Sequence, residues 1–445
     1  MITRLEIDGF KTFDNFAIDL VPFTAIVGPN ASGKSNLFDA IELLAELVTE
    51  DVRSAMTKLR GEPLELFRRT PHGSAKTMSL AVEVLLPVSG VDQFGTKYDL
   101  KTQRIRYEVC LTAETDSLGN IDKIVVAREK CERIKKQDEK SKFTQQSSNI
   151  AYGGNMRKTP FLDTEIGDDG QKSFLIRQDG PNKKGRPTRI PANDASRTGI
   201  STVQTAEFPH LYAVKHFLGH PSFLEISPSE ARGESDRFVE KTMLPSASNL
   251  AAVLDRLKSD TTTTEQPEGV LNDISSQLSQ LIPSVRKVHS VTSRDQKEYA
   301  YEIEMADGLR FSSRVISDGT LRLLALITLL NDPEREGLLC FEEPENGIHE
   351  GRIPALVELI RSSTENFSED YFQVIINTHS PAVMKNLQNR EIIAADVVNV
   401  TTEKGILKKT RMRGSPSEMS DLIDPEQCLT RYEIEQLLSR KFDAA

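Results

Sequence analysis

Gly28-Pro29-Asn30-Ala31-Ser32-Gly33-Lys34-Ser35, followed by Asn36, has the form G-x-x-x-x-G-K-[ST]. It lies between an apolar run, Phe23 to Val27, and a segment with Leu37, Ala40, Ile41, Leu44 and Leu47 at helical spacing. That order predicts a buried strand, a glycine-rich loop and an amphipathic helix. The N–H groups of the loop and of the first helical turn have no internal partners, so they are available to phosphate oxygens. Lys34 supplies a point charge for the β- and γ-phosphates, and the Ser35 hydroxyl is a ligand for Mg²⁺. The octet points to a bound nucleoside triphosphate, as against a glycine-rich turn that only caps a helix.

Further along, Gly337-Leu338-Leu339-Cys340-Phe341-Glu342-Glu343-Pro344 reads as an apolar strand ending in two carboxylates, a Walker B pattern. Open α/β sheets place ligands at the carboxyl ends of their strands. Glu342 there would hold Mg²⁺ directly or through water, and Glu343 would polarise the attacking water; the plain alternative is a solvated turn. Ser317-Asp318-Gly319-Thr320 precedes the apolar run Leu321 to Leu330 and reads as a helix N-cap with a second anion-binding helix start, or as a cap alone. Phe372 to Ile376 form another apolar strand, followed by Asn377-Thr378-His379-Ser380-Pro381. His379 is placed to hydrogen-bond a γ-phosphate, or is structural.

The chain has 445 residues, 38% hydrophobic and 27% charged, with a formal net charge of -10. These values suit a soluble chain of about three domains. No apolar stretch is long enough to cross a bilayer, and Met1-Ile2-Thr3-Arg4 leads into a strand pattern, so the expected location is the cytosol. Cys110, Cys131, Cys340 and Cys428 lack metal-ligand spacing, and reduced thiols without zinc are expected, Cys340 in the core. The acidic balance confines any nucleic-acid contact to local patches. Two are candidates: Lys183, Lys184, Arg186 and Arg189 in a loop-like segment, and Lys409, Arg411 and Arg413 alternating along a strand at Ile406 to Met412. Each is a phosphate-holding patch or an ordinary wet surface.

The order P-loop, S-D-G at a helix start, strand-Glu-Glu and strand-His resembles the ABC-type ATPase heads of the SMC, RecF and OLD-like superfamily, the AAA15 and AAA_21 ATPases. Met1 to Phe13 is similar to their opening strand, Pro344-Glu345-Asn346-Gly347-Ile348-His349 to their D-loop, Asn377 to Pro381 to their switch histidine, and residues 245 to 257 to a segment of their compact members. The resemblance is dense at residues 1 to 50 and 310 to 385. It implies a P-loop NTPase of α/β class, head-like, with a β-rich N-terminal lobe and a short inserted lid. Two copies would dimerise head to tail, or form a higher oligomer, with composite sites: Ser317 and Gly319 contact nucleotide in trans, while Lys34, Ser35, Glu342, Glu343 and His379 act in cis. ATP and Mg²⁺ are the implied cofactors. Asp318 stands where transporter-type sequences have glycine; a carboxylate beside phosphate is unfavourable, so it is expected to cap the helix facing away from the nucleotide. Glu342 replaces a more common aspartate, which leaves direct or water-mediated Mg²⁺ contact open. No Q-loop glutamine is evident; Phe67-Arg68-Arg69 falls near its place.

Between Ser35 and Ser317 the chain shows no sustained heptads, so a long coiled coil is not expected. The predicted organisation is an N-terminal lobe over 1–126, an inserted segment and helical lid over 127–300, and a C-terminal lobe over 301–445. Strands are expected around 78–126, an irregular insertion at about 130–205 and helices at about 207–282. The favoured functional reading is an ATPase whose nucleotide-driven dimer senses or clamps DNA and controls a separate effector, such as a nuclease or toxin, in bacterial anti-phage defence. A nuclease domain of the larger OLD-like kind is not expected in the 66 residues after His379. A RecF-like repair ATPase is the alternative, and a transporter ATPase subunit ranks last.

Overall fold

The computed structural model describes residues 1–70, 73–115, 121–147, 149–154, 159–180, 187–292, 298–365, 371–402, 405–415 and 428–439. The chain divides into two compact units, one of Met1–Thr24, Gly28–Pro221 and Ile393–Ala445, the other of Ala25–Val27 and Ser222–Ile392.

The first unit is built on an eight-stranded antiparallel sheet, in the order Thr188–Pro191, Lys172–Ile176, Leu162–Ile166, Ile121–Arg133, Arg104–Thr115, Thr77–Leu85, Ile2–Asp8, Phe16–Asp19. Along Arg104–Thr115, Ile105, Tyr107, Val109, Leu111 and Ala113 are buried while the residues between them are partly exposed. This is the two-residue period of a sheet with one face packed on a core. The expected helix after the glycine-rich loop is Lys34–Leu47, and its Leu37, Ala40, Ile41, Leu44 and Leu47 are all buried. Helices Val52–Lys58 and Pro209–Gly219 pack on it. Each such leucine contributes about 1.5–3 kcal/mol by leaving water, so a charge at Leu44 would unseat the helix.

Three of those strands fall where an irregular insertion is expected from the sequence. Leu162–Ile166, Lys172–Ile176 and Thr188–Pro191 continue the sheet by antiparallel pairing, and Phe174, Leu175 and Ile176 are buried. Strands this short carry little periodicity of their own, and the glycine-containing turn at residues 167–170 reads locally as a break; long-range pairing to Ile121–Arg133 organises them. Of the basic residues in this region, Lys183, Lys184 and Arg186 lie outside the described residues, and Arg189 pairs with Glu165 at 2.6 Å.

The unit also contains the antiparallel hairpin Ile392–Thr402 and Gly405–Gly414, which includes the strand read at Ile406 to Met412. Its basic side chains do not form a bare stripe. Lys409 lies 3.3 Å from Asp14, Arg411 2.6 Å and Arg413 2.9 Å from Asp396. Near the place of a Q-loop, Phe67 is buried and Arg68 pairs with Asp14.

In the second unit Ser222–Leu224, Leu338–Glu342 and Gln373–Thr378 run parallel in that order, with Ala25–Val27 of strand Phe23–Val27 next. All six residues of Gln373–Thr378 are buried, as are the first four of Leu338–Glu342, including Cys340. Continuous burial without alternation marks a parallel sheet covered on both faces. Helices Leu250–Thr261, Leu271–Leu281, Asp318–Leu330 and Ile353–Ser362 belong to the same unit. A small antiparallel sheet pairs Val285–Thr292 with Glu298–Met305, and Ser235–Asp236 and Arg310–Ser312 pair with the latter. Among the described residues, no helix is long and apolar enough to cross a membrane.

Candidate nucleotide site

Val27 ends its strand and the loop opens at Gly28. The loop turns through left-handed backbone at Ala31 (φ 61) and Gly33 (φ 88) before the helix begins at Lys34. Gly33 is the N-cap. The helix start thus carries no side-chain cap among the described residues, and the helix dipole favours an anion there. Lys34 is buried, and its Nζ donates to the carbonyls of Gly28 at 2.8 Å and Pro29 at 2.9 Å. The ammonium is thus held over the loop. Ser32 Oγ is fully buried and has no hydrogen-bond partner among the described residues, a cost that a phosphate oxygen would relieve. Ser35 and Asn36, partly exposed, complete the first turn.

In the second unit the two carboxylates and the histidine converge at neighbouring strand ends. Glu342 pairs in register with Asn377, whose Nδ2 donates to Glu342 Oε1 at 2.9 Å. Glu343 is left-handed at φ 48, unusual for a residue with a side chain, and its N–H donates to Asn377 O at 2.9 Å. Such a conformation costs on the order of 1–3 kcal/mol and is held by its surroundings. The turn aims Glu343 Oε1 at His379 Nδ1, 2.8 Å away, and Glu343 Oε2 accepts from Asn346 Nδ2 at 2.8 Å. Behind this pair Glu345 is buried and accepts from the Thr378 hydroxyl; burial pushes its carboxyl above the usual carboxylate range. Asn377 and Asn346 were not singled out as partners from sequence, although a polar residue ending an all-apolar strand is the signal that marks Asn377.

Ser317 is the N-cap of helix Asp318–Leu330, its Oγ accepting from Thr320 N–H at 3.3 Å. Asp318 is not the cap: it is the first helical residue and its carboxylate pairs with Arg232, which also donates to Ile316 O at 2.9 Å. A guanidinium neutralises the carboxylate at the place where the sequence pattern has glycine. Gly319 is required by close approach, since a Cβ there would lie 2.5 Å from Gly347 O. The S-D-G helix start and the D-loop-like segment are therefore in direct backbone contact.

The sequence-expected residues thus fall into three groups: the loop Gly28 to Asn36 in the first unit, and Glu342–Glu343–His379 and Ser317–Gly319 in the second. An uncapped helix start, an ammonium held over the loop and an orphaned buried hydroxyl make the first group chemically fit for a triphosphate. A carboxylate with one oxygen tied down by Asn377 makes Glu342 fit for a divalent cation.

With its glycine-rich loop and parallel sheet, the protein is a P-loop NTPase with the fold of an SMC head. Its backbone superposes on the crystal structure of the SmcHead bound to the C-winged helix domain of ScpA with a TM-score of 0.50, at 15% identity, covering 93% of this chain and 97% of that one. The AAA_21 family model, described as "AAA domain, putative AbiEii toxin, Type IV TA system", matches residues 23–385. The chain belongs to that family and is, at the family's level, an ATPase. Shorter stretches are similar to curated proteins. The chain is 40% identical over 95 residues to the chromosome partition protein Smc of Bacillus subtilis (strain 168), 21% of this chain and 7% of that protein. It is 39% identical over 54 residues to the OLD nuclease of Thermus scotoductus (strain ATCC 700910 / SA-01), 12% of this chain and 10% of that protein. The matches thus span a small fraction of these relatives' own lengths.

Proposed function

We propose that the chain binds ATP with Mg²⁺ and hydrolyses it in a dimer that controls a separate effector, acting on or near DNA in bacterial anti-phage defence. The observation that carries the hydrolytic part is the Glu343–His379 pair at 2.8 Å, set by the strained turn at Glu343. In this reading the N–H groups of Gly28 to Asn36 and Lys34 bind the phosphates. Glu343 takes the proton of the attacking water, and His379 orients Glu343 and meets the γ-phosphate. Ser35 and Glu342 are the residues assigned to Mg²⁺, which when bound neutralises charge on the phosphates. Ser317 and Gly319 of one copy close on the nucleotide held by another. The short stretch similar to an OLD nuclease supports the defence reading and its effector partner.

Two substitutions test it. Lys34→Ala is expected to abolish ATP binding, and Glu343→Gln to retain binding, lower turnover by roughly 10²–10⁴-fold and accumulate dimer with ATP in gel filtration. Rapid hydrolysis by the Glu343→Gln protein would remove Glu343 as the base. A Ser317→Arg protein that hydrolyses normally would remove the trans contact.

A further inference from the structure

The hairpin Ile392–Thr402/Gly405–Gly414 is remote in sequence from the glycine-rich loop, yet it packs against it. Thr410, only 1% exposed, places its Oγ1 where a Cβ on Gly33 would stand, 2.1 Å from that position. The same hydroxyl lies 2.6 Å from Thr12 Oγ1, and Thr12 Oγ1 accepts from Asn36 Nδ2 at 2.8 Å. The backbone repeats the connection, Thr410 N–H donating to Thr12 O at 3.1 Å. Three segments far apart in the chain thus meet at the left-handed turn that starts the phosphate-facing helix. Thr12 Oγ1 thus bridges the Asn36 amide and the Thr410 hydroxyl. The Thr12 turn is itself tied down, by Lys11 to Asp39 at 2.5 Å and by Asp14 to Lys409 at 3.3 Å.

We infer that Thr410, Thr12 and Asn36 form a positioning clamp that presets the Gly33 turn for phosphate binding. The inference rests on the nucleotide-site reading above and extends it to residues that no loop motif contains. The glycine is needed because the Thr410 hydroxyl fills the volume of its missing side chain, and that hydroxyl is held by its bond to Thr12. None of the three residues is asked to perform chemistry. They set the loop geometry before nucleotide arrives, which lowers the ordering cost of binding. Because the clamp acts on the loop before nucleotide arrives, loosening it is expected to raise KM with kcat unchanged.

The test compares Thr410→Val, Thr410→Ser, Thr12→Val and the Thr12→Val/Thr410→Val double variant with the unaltered chain, using a fluorescently labelled ATP analogue with Mg²⁺ for affinity and phosphate release for kcat and KM. Thr410→Val is expected to weaken affinity and raise KM roughly fivefold, the equivalent of one neutral hydrogen bond, with kcat unchanged. Thr410→Ser should restore the unaltered values, and the double variant should bind no more weakly than Thr12→Val alone. Unchanged affinity in Thr410→Val, a fall in kcat at constant KM, or additive effects in the double variant would each overturn the clamp. Lys34→Ala run alongside separates the two readings: if it loses binding while Thr410→Val does not, the clamp alone fails, and if Lys34→Ala binds normally both fall.

Discussion

Replacing Glu129 by glutamine should remove a specific portion of the pH dependence of stability. Glu129 is fully buried in the first unit, where it accepts from the N–H groups of Gly199 and Ile200, the latter at 3.0 Å, and from Tyr107 Oη at 3.0 Å. Burial pushes its carboxyl up from 4.5 to about 7, against the pull of the Ile200 and Gly199 N–H groups and of Tyr107 in the other direction. Below pH 4.5 the carboxyl is neutral in both folded and unfolded chains, and its contribution is fully present. Between 4.5 and about 7 the unfolded chain ionises while the folded one keeps its proton, so stability falls as pH rises, and above about 7 the loss is complete. At about 1.4 kcal/mol per unit the loss is about 3 kcal/mol. Glutamine cannot ionise, so its chain lacks this loss, although its amide NH₂ faces a backbone N–H and lowers stability at every pH. Urea unfolding of both proteins at pH 4.5 and pH 8 gives the difference, in which all other titrating groups cancel. A gap between pH values equal in the two proteins would refute the assignment of a neutral carboxyl at Glu129.

Gly319→Ala forces a methyl against the backbone oxygen of Gly347, 2.5 Å away, and should destabilise the second unit by about 1–3 kcal/mol, read as a lower melting temperature without nucleotide; unchanged melting would mean that the contact is slack. Reversing Arg411 and Arg413 to glutamate sets two like charges beside Asp396, whose side chain is 13% exposed, and should cost roughly 2 kcal/mol or more in urea unfolding. A stripe for nucleic acid would instead lose retention on a duplex-DNA column with stability untouched.

Much of the site could be read locally. The octet at Gly28 to Ser35 needs a strand before it and a helix after it, and both are encoded in adjacent residues. Leu338 to Glu342 and Gln373 to Thr378 announce themselves as buried strands because parallel strands covered on both faces are continuously apolar. Glu343 and His379 each stand at a strand end, but only the pairing of those two strands brings them together. What was not legible was chosen by long-range partners. Leu162–Ile166 and Lys172–Ile176 become strands because the edge of Ile121–Arg133 is available to pair. Asp318 looks like a cap until Arg232, far away in the chain, claims it. Lys409, Arg411 and Arg413 have the alternation of a binding stripe, and only the fold brings Asp14 and Asp396 to them.

The sequence by itself determined the elements and the chemistry of the phosphate loop, because a backbone turn, a helix start and a lysine three-dimensionally close are also close along the chain. Tertiary structure alone decided which carboxylate meets which guanidinium and where the eight-stranded sheet ends. It also decided that a threonine hydroxyl fills the space beside Gly33. Those outcomes depend on packing between segments from some fifteen to nearly four hundred residues apart, and local propensity carries no information about such partners.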